Sequence, residues 1–469
     1  MNKIGIVLLV VLAFYIESDE LFAQDKIYLT PFNNRQDIGP HSITTLNIDN
    51  DGINDLVVTM HWANRIHTYS SNGDGTFQFL GMYLTGSFPS GMVTADLNND
   101  YYTDIIVANS GSRNVSVFIN KGNGLFHSSS YFGANENPSH LCVNDFNDDT
   151  YKDIAVTNRD SNNISILLND GSGSFLPKVD YAAGDRPTGI CSADFNNDGF
   201  ADIAVANFNS DNILIMLNNG WGIFNTNLDF PVDSGPGSIC ASDIDSDSDF
   251  DLIVAGENSN IISVIINNGD NTFQSPIKYR TGDQPKTVYT FDLENDGDDD
   301  IFVTNYLSNT ISLFKNSGTG DLSHRRDFKC GATPLALCAA DFDSDGFSDL
   351  AVTHFDVEKF SILLNSFNHY LPGDANMADD AWPPQVIGSD VTYLVNYFMQ
   401  MNIGCMLSGY FASADANGDC RVIGSDVTKL VNYFHGTAGL SHCVDYPTAW
   451  LKPDDLPVES PLGWPNCDK

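Results

Sequence analysis

Seven acidic segments of this chain carry oxygen-bearing side chains at the first, third, fifth and ninth places of a nine-residue stretch. In chain order the first four sets are Asn47, Asp49, Asp51 and Asp55; Asp96, Asn98, Asp100 and Asp104; Asp145, Asn147, Asp149 and Asp153; and Asp194, Asn196, Asp198 and Asp202. The last three are Asp243, Asp245, Asp247 and Asp251; Asp292, Glu294, Asp296 and Asp300; and Asp341, Asp343, Asp345 and Asp349. Alternate spacing lets a tight loop turn its oxygens inward, and a backbone carbonyl is available near the seventh place. Hard oxygen donors without His or Cys select Ca²⁺ over zinc or copper. Carboxylates crowded into one loop repel each other unless a cation lies between them. A single Asp-Asn-Asp-Gly segment also makes an ordinary turn, but seven in register point to metal. Gly199 permits the sharp bend of the fourth loop, whereas Tyr101 and Thr150 stand at that place in the second and third, which predicts weaker sites there.

A second kind of acidic loop lies near the C-terminus. Asp415, Asn417, Asp419 and Asp426 occupy the first, third, fifth and twelfth places of an EF-hand-like loop, with Arg421 at the seventh counted in the set. Cys420 stands where glycine is usual, and the twelfth ligand is a short Asp. An earlier copy, with Asp374, Asn376 and Asp390, carries an insertion containing Trp382-Pro383-Pro384. The sequence Ile387-Gly-Ser-Asp390-Val-Thr recurs at Ile423-Gly-Ser-Asp426-Val-Thr, and the Val, Leu, Val and Phe that follow each have helical spacing.

The elements that must hold the seven loops repeat every 49 residues. Prolines recur at Pro40, Pro89, Pro138, Pro187, Pro236, Pro285 and Pro334, and an aromatic at Phe77, Phe126, Phe175, Phe224 and Phe273. The fourth unit predicts strands over Phe175–Tyr181, Thr188–Phe195, Ile203–Ala206 and Ile213–Leu217, separated by turn residues. Four short strands in each of seven units predict a mainly β fold, a seven-bladed β-propeller with a small α-helical calcium-binding domain after it. The last unit lacks an outer strand, and Tyr28–Asn33 has the right phase to supply it and close the ring. Cys142, Cys191, Cys240 and Cys338 keep the period and are expected at one buried core position.

The acidic loop, an Asp-Ile-Ala-Val strand and then Ile-Ser-Ile-Leu-Leu-Asn-x-Gly-x-Gly-x-Phe resemble the FG-GAP (VCBS-type) repeat of integrin α-subunit propellers, over about residues 28–365. The resemblance implies the propeller and its calcium, and places ligands on the face opposite the acidic loops. On that face the turn after each third strand of the unit varies, and His61, Trp62, Arg159, Phe208, Tyr306 and Phe355 suit glycan stacking or protein contact. The paired loop–helix units over about 371–440 resemble a type I dockerin, which implies docking to a cohesin-like scaffold protein near Ser389, Asp390, Ser425 and Asp426.

The expected organisation is a signal peptide over 1–23, the propeller over 24–370, the dockerin-like domain over 371–440 and a Pro/Asp-rich tail over 441–469. The basic start and 13-residue apolar run predict export to the cell surface or the extracellular space, with no membrane span once the signal is removed. Disulfides are then expected among Cys405, Cys420, Cys443 and Cys467, in a pairing the spacing leaves open. A formal charge of −39 excludes nucleic acid as a natural partner. No Ser-centred elbow, His-Glu-x-x-His or phosphate loop appears, and His61, His67 and His354 read as isolated surface residues. The reading is a calcium-binding adhesion or binding module for a glycan, polysaccharide above all, or an extracellular protein. Its alternatives are a dockerin-tethered enzyme of polysaccharide breakdown and a structural cell-surface protein.

Overall fold

The structure is a computed structural model that describes the backbone of residues 22–28, and residues 39–322, 324–357 and 359–365 in full. The expected signal segment up to Leu21, residues 29–33, the loops at Asp374–Asp390 and Asp415–Asp426 and their helices, Cys405, Cys420, Cys443, Cys467 and the tail lie outside the described residues.

Each 49-residue unit folds into strands because its apolar residues are β-branched and its turns are fixed by Gly, Asn and Pro. The result is seven four-stranded sheets, the blades of a propeller. The inner strands are Pro40–Leu46, Pro89–Ala95, Pro138–Asn144, Pro187–Ala193, Pro236–Ser242, Pro285–Phe291 and Pro334–Ala340, and each packs on the next in cyclic order, the last on the first. The second strands, from Asp55–Met60 to Asp349–His354, are buried at all six positions. They lie between neighbouring blades, so both of their faces are covered and their sequences read as continuous apolar runs. Each fully buried Val, Leu or Ile contributes about 1.5–3 kcal/mol relative to exposure.

The cores lie between blades. Leu46, Ile48 and Val57 of the first blade pack with Met92, Ile105 and Phe118 of the second. Ile43, Val58 and Tyr69 of the first pack with Phe342, Phe360 and Ile362 of the seventh, which closes the circle. Among the described residues no helix is long and apolar enough to cross a membrane, and the one helical element is a 3-10 turn at Phe355–Val357.

Several expectations are corrected. The outer strand of the seventh blade is Phe22–Tyr28, and of the expected Tyr28–Asn33 only Tyr28 lies among the described residues. The strand expected at Phe175–Tyr181 shortens to Val179–Ala182 and completes the third sheet, as Ser130–Gly133 completes the second. Phe175 keeps one isolated bridge to Asn169. His67 and His354 are buried, not on the surface. His354 donates from Nδ1 to the Ala332 carbonyl and accepts at Nε2 from the Ser361 hydroxyl, both at 2.8 Å. Asn305, at the equivalent place one unit earlier, meets Ser312 with the direction reversed, its amide donating to the hydroxyl at 2.8 Å. The repeated cysteine lies in the inner strand, buried at Cys142 and Cys338 but only half-buried at Cys191 and Cys240, and all four are free thiols.

Candidate functional site

The acidic loops join the inner strand of each blade to its second strand, and all seven share one hydrogen-bond plan. The first-place oxygen accepts from the N–H of the fifth residue at 3.0–3.2 Å, from Asn47 and Asp51 through Asp341 and Asp345. The fifth-place carboxylate accepts from the seventh N–H at 2.8–3.1 Å. The second oxygen of the first-place Asp takes the sixth N–H in six loops, and Asn47 lacks this bond. The sixth residue has positive φ throughout, including Tyr101, Thr150 and Ser248 at 70°, 75° and 77°. The loops without glycine keep the bend and bear the strain, and Ser248 adds a third such loop.

The ninth-place Asp has two duties. It is wholly buried in every loop. One of its oxygens accepts the N–H of Ser71, Asn120, Asn169, Asn218, Asn267, Asn316 or Asn365, at 2.6–2.9 Å. In six loops the other accepts the second-place N–H. Burial pushes these carboxyls up, to about 6 at Asp55, about 7 at Asp202 and about 8 at Asp349, against the pull of the two N–H donors. A divalent cation beside them would act in the opposite direction.

Oxygens of Asp243, Asp245 and Asp251 lie within 4.8 Å of one another, as do those of Asp292, Glu294 and Asp296 and those of Asp341, Asp343 and Asp349. That spacing is about twice a Ca–O distance of ~2.4 Å, so one ion can touch all three. In the fifth loop Oδ1 of Asp245 is buried with no hydrogen-bond partner, as a ligand oxygen would be. Loops two to four close differently, with the third-place amide donating to the fifth-place carboxylate at 2.9–3.0 Å. Glu294 of the sixth loop is paired with Lys315, a cation where other units carry Ile119, Leu168, Leu217, Ile266 and Leu364.

Sequence reasoning missed how the loops bind the ring together. The side-chain amide of Asn218 donates to the Phe146 carbonyl in the preceding blade's loop at 2.8 Å and to the Ala201 carbonyl in its own at 3.0 Å. Asn169, Asn267 and Asn316 make the same pair of bonds. The signal was available as an Asn recurring every 49 residues ahead of x-Gly.

On the opposite face His61, Ser110, Arg159, Phe208, Glu257, Tyr306 and Phe355 occupy one repeated place. Each donates its backbone N–H to the carbonyl of the residue before the inner-strand proline of its own blade, at 2.9–3.2 Å. The acceptors include Phe88, Arg186, Gln284 and Thr333, all at φ between 52° and 56°, so backbone strain collects at this mouth. The structure thus brings five of the six expected ligand residues to a single ring, with Trp62 beside His61 at 4.8 Å between ring centres. It adds Phe88, 5.6 Å from Trp62, and His41, stacked 5.3 Å from His61. Burial, and then His61, hold His41 down near 3, and burial holds His140 near 4, so both are neutral at pH 7. Lys286 pairs with Glu257 at 2.5 Å, and Arg186 lies over the Phe208 ring at 5.1 Å.

Six overlapping segments, 47–107, 96–156, 145–205, 194–254, 243–303 and 292–352, match the FG-GAP-like repeat. No curated protein matches the chain. Among solved structures it is similar to BBS1N, crystallised in complex with ARL6DN, at 12% identity and a TM-score of 0.52, covering 74% of this chain and 99% of that one. Virginiamycin B lyase from Staphylococcus aureus gives 14% identity and 0.52, covering 73% of this chain and all of the other. Hydrazine synthase of Kuenenia stuttgartiensis gives 12% and 0.52, with 73% and 100% covered. At such identities the likeness is one of fold alone. The repeat matches run from residue 47 to 352, more than half of 469, and the chain belongs to the FG-GAP-like repeat family.

Proposed function

We propose that the protein is a secreted, calcium-loaded propeller that acts as a binding module for polysaccharide, with its dockerin-like segment tethering it to a cohesin-like scaffold. The observation that carries the binding reading is the ring of seven side chains on one repeated backbone bond, chemically varied on a frame that does not vary. A uniform scaffold with variable loops is how rigid folds present recognition surfaces. Calcium has a structural part in this reading. The converging oxygens of the fifth, sixth and seventh loops support it, and loops two to six are each joined to the next blade by an Asn. If a site binds with Kd near ~10⁻⁴ M, millimolar calcium adds about 1.4 kcal/mol. The export and docking parts rest on the sequence patterns alone.

The test is retention of the full-length protein on insoluble polysaccharides, with calcium or with chelator, together with assay of released sugar. Retention lost on chelation, without sugar release, is expected. Released sugar would make the protein an enzyme, and no retention on any polysaccharide would refute the reading. Melting followed in calcium and in chelator separates the metal from the ligand, and an unchanged melting temperature would remove calcium from the proposal.

A further inference from the structure

Cations are scarce in this chain, 22 Lys and Arg against 61 Asp and Glu, yet Arg159, Arg186 and Lys286 gather at the axial mouth from three different blades. Two of them are satisfied, Lys286 by Glu257 and Arg186 by the Phe208 ring. Arg159 is different. Among the described residues it makes no ion pair, and its Nε is buried without a hydrogen-bond partner. In the same blade Nδ1 of His140 is also buried and unpartnered. An unmade hydrogen bond to a buried group costs about 1–3 kcal/mol, more when the group is charged, and such groups in a well-satisfied fold call for a reason. A guanidinium presents a planar fork that matches an oxyanion.

On the first and second blades the mouth is apolar. Trp62 and Phe88 meet edge to face and remain 54% and 39% exposed, an aromatic surface left open to solvent. His61 donates from Nδ1 to the Pro89 carbonyl at 2.9 Å, which leaves Nε2 as an acceptor beside that surface. The backbone of Phe88 is held at a φ of 55°, an unfavourable state for an aromatic residue and one that recurs where side chains must be aimed.

We propose that this mouth takes an acidic glycan, its carboxylate or sulfate held by Arg159 and a sugar ring laid on Trp62 and Phe88. The proposal rests on the binding-module reading and assigns its ligand class. The acidic loops do not oppose it, and of the two carboxylates that act on Arg159 within the mouth Glu257 is paired with Lys286 and Asp160 accepts from the Asn137 amide at 3.1 Å. The acidic loops are at the far ends of seven-residue inner strands, about 23 Å away at ~3.3 Å per residue. That distance is more than two Debye lengths of ~10 Å at ordinary ionic strength. An acidic peptide would use the arginine but has no pyranose face for the aromatic pair, so a peptide is the competing occupant and not the assigned one.

The test is calorimetric titration of the calcium-loaded, full-length protein. The probes are trigalacturonate, its methyl ester, a sulfated galactan oligosaccharide, its desulfated counterpart and poly-glutamate. We expect one charged sugar to bind at least tenfold tighter than its neutral partner, which also identifies the oxyanion. Arg159→Gln should abolish that preference with melting temperature and calcium content unchanged. Trp62→Ala should weaken charged and neutral sugars alike. Equal binding of charged and neutral sugars, or a preference that survives Arg159→Gln, overturns the inference while polysaccharide binding stands. Poly-glutamate binding as tightly as the sugar overturns the glycan assignment, and binding of no sugar at all overturns the inference and the function it rests on.

Discussion

At the scale of single residues the loops separate two jobs that one carboxylate chemistry performs. The first and fifth places accept N–H groups from within the loop, while the buried ninth accepts them from two elements and, in the fifth and seventh loops, still keeps an oxygen within 4.8 Å of the first- and third-place oxygens. The sixth place is a conformational requirement, met by Gly52, Gly199, Gly297 and Gly346 at no cost and by Thr150 under strain. A β-branched residue in the left-handed region costs about 1–2 kcal/mol, part of which glycine returns as chain entropy. Thr150→Gly should therefore raise stability by about 0.5–1 kcal/mol, read as a higher melting temperature, with the hydrogen bond to Asp145 retained. His354 supplies a second test. Burial holds it near 4 in the fold against about 6.5 when free, so the unfolded chain takes up its proton first as pH falls. Its contribution is fully present above about pH 6.5 and is lost between there and 4. His354→Asn restores the residue of the equivalent places Asn109, Asn158, Asn207 and Asn305, and should flatten the fall of melting temperature over that window. An unchanged slope would show that the acid sensitivity comes from elsewhere.

At the scale of elements, the blade is less a unit than its sequence period suggests. The cores lie between sheets, and the turn between the third and outer strands bonds backward to the neighbouring loop. Asn218→Ala removes both amide bonds and leaves two buried carbonyls without that donor, at a cost of roughly 2–4 kcal/mol. Denaturation should become easier while a peripheral change of equal size, such as Asn219→Ala, does little. The strands and the loops were legible in the sequence because period, proline and acidic spacing each act locally. His67 and His354 were misread because burial between blades is a property of packing, and no neighbour in sequence announces it. The mouth was half legible. His61, Arg159 and Phe355 fall on turns and drew notice, but Phe88, His140 and Lys286 belong to inner strands or the residues before them, and converge only when the ring is drawn.

At the scale of the whole molecule, the fold is a ring whose last blade borrows its outer strand from Phe22–Tyr28. Removing residues 22–28 exposes the edge of the strand Lys359–Asn365. The truncated protein should self-associate through that edge, seen as oligomers in sizing chromatography, and lose resistance to protease at the seventh blade first. A monomer of unchanged resistance would show that the seven blades hold without the borrowed strand. The same borrowing sets a timetable. The strand that finishes the ring is synthesised before the blades it closes, and its partner follows about 330 residues later. At roughly 5–20 residues per second it waits tens of seconds for an address to exist. For that interval a pairing-competent segment has no native neighbour, and the six blades between must assemble without a seal. Molecules made side by side at high rates are then at risk of exchanging these strands, so the yield of monomer should depend on how crowded the nascent chains are.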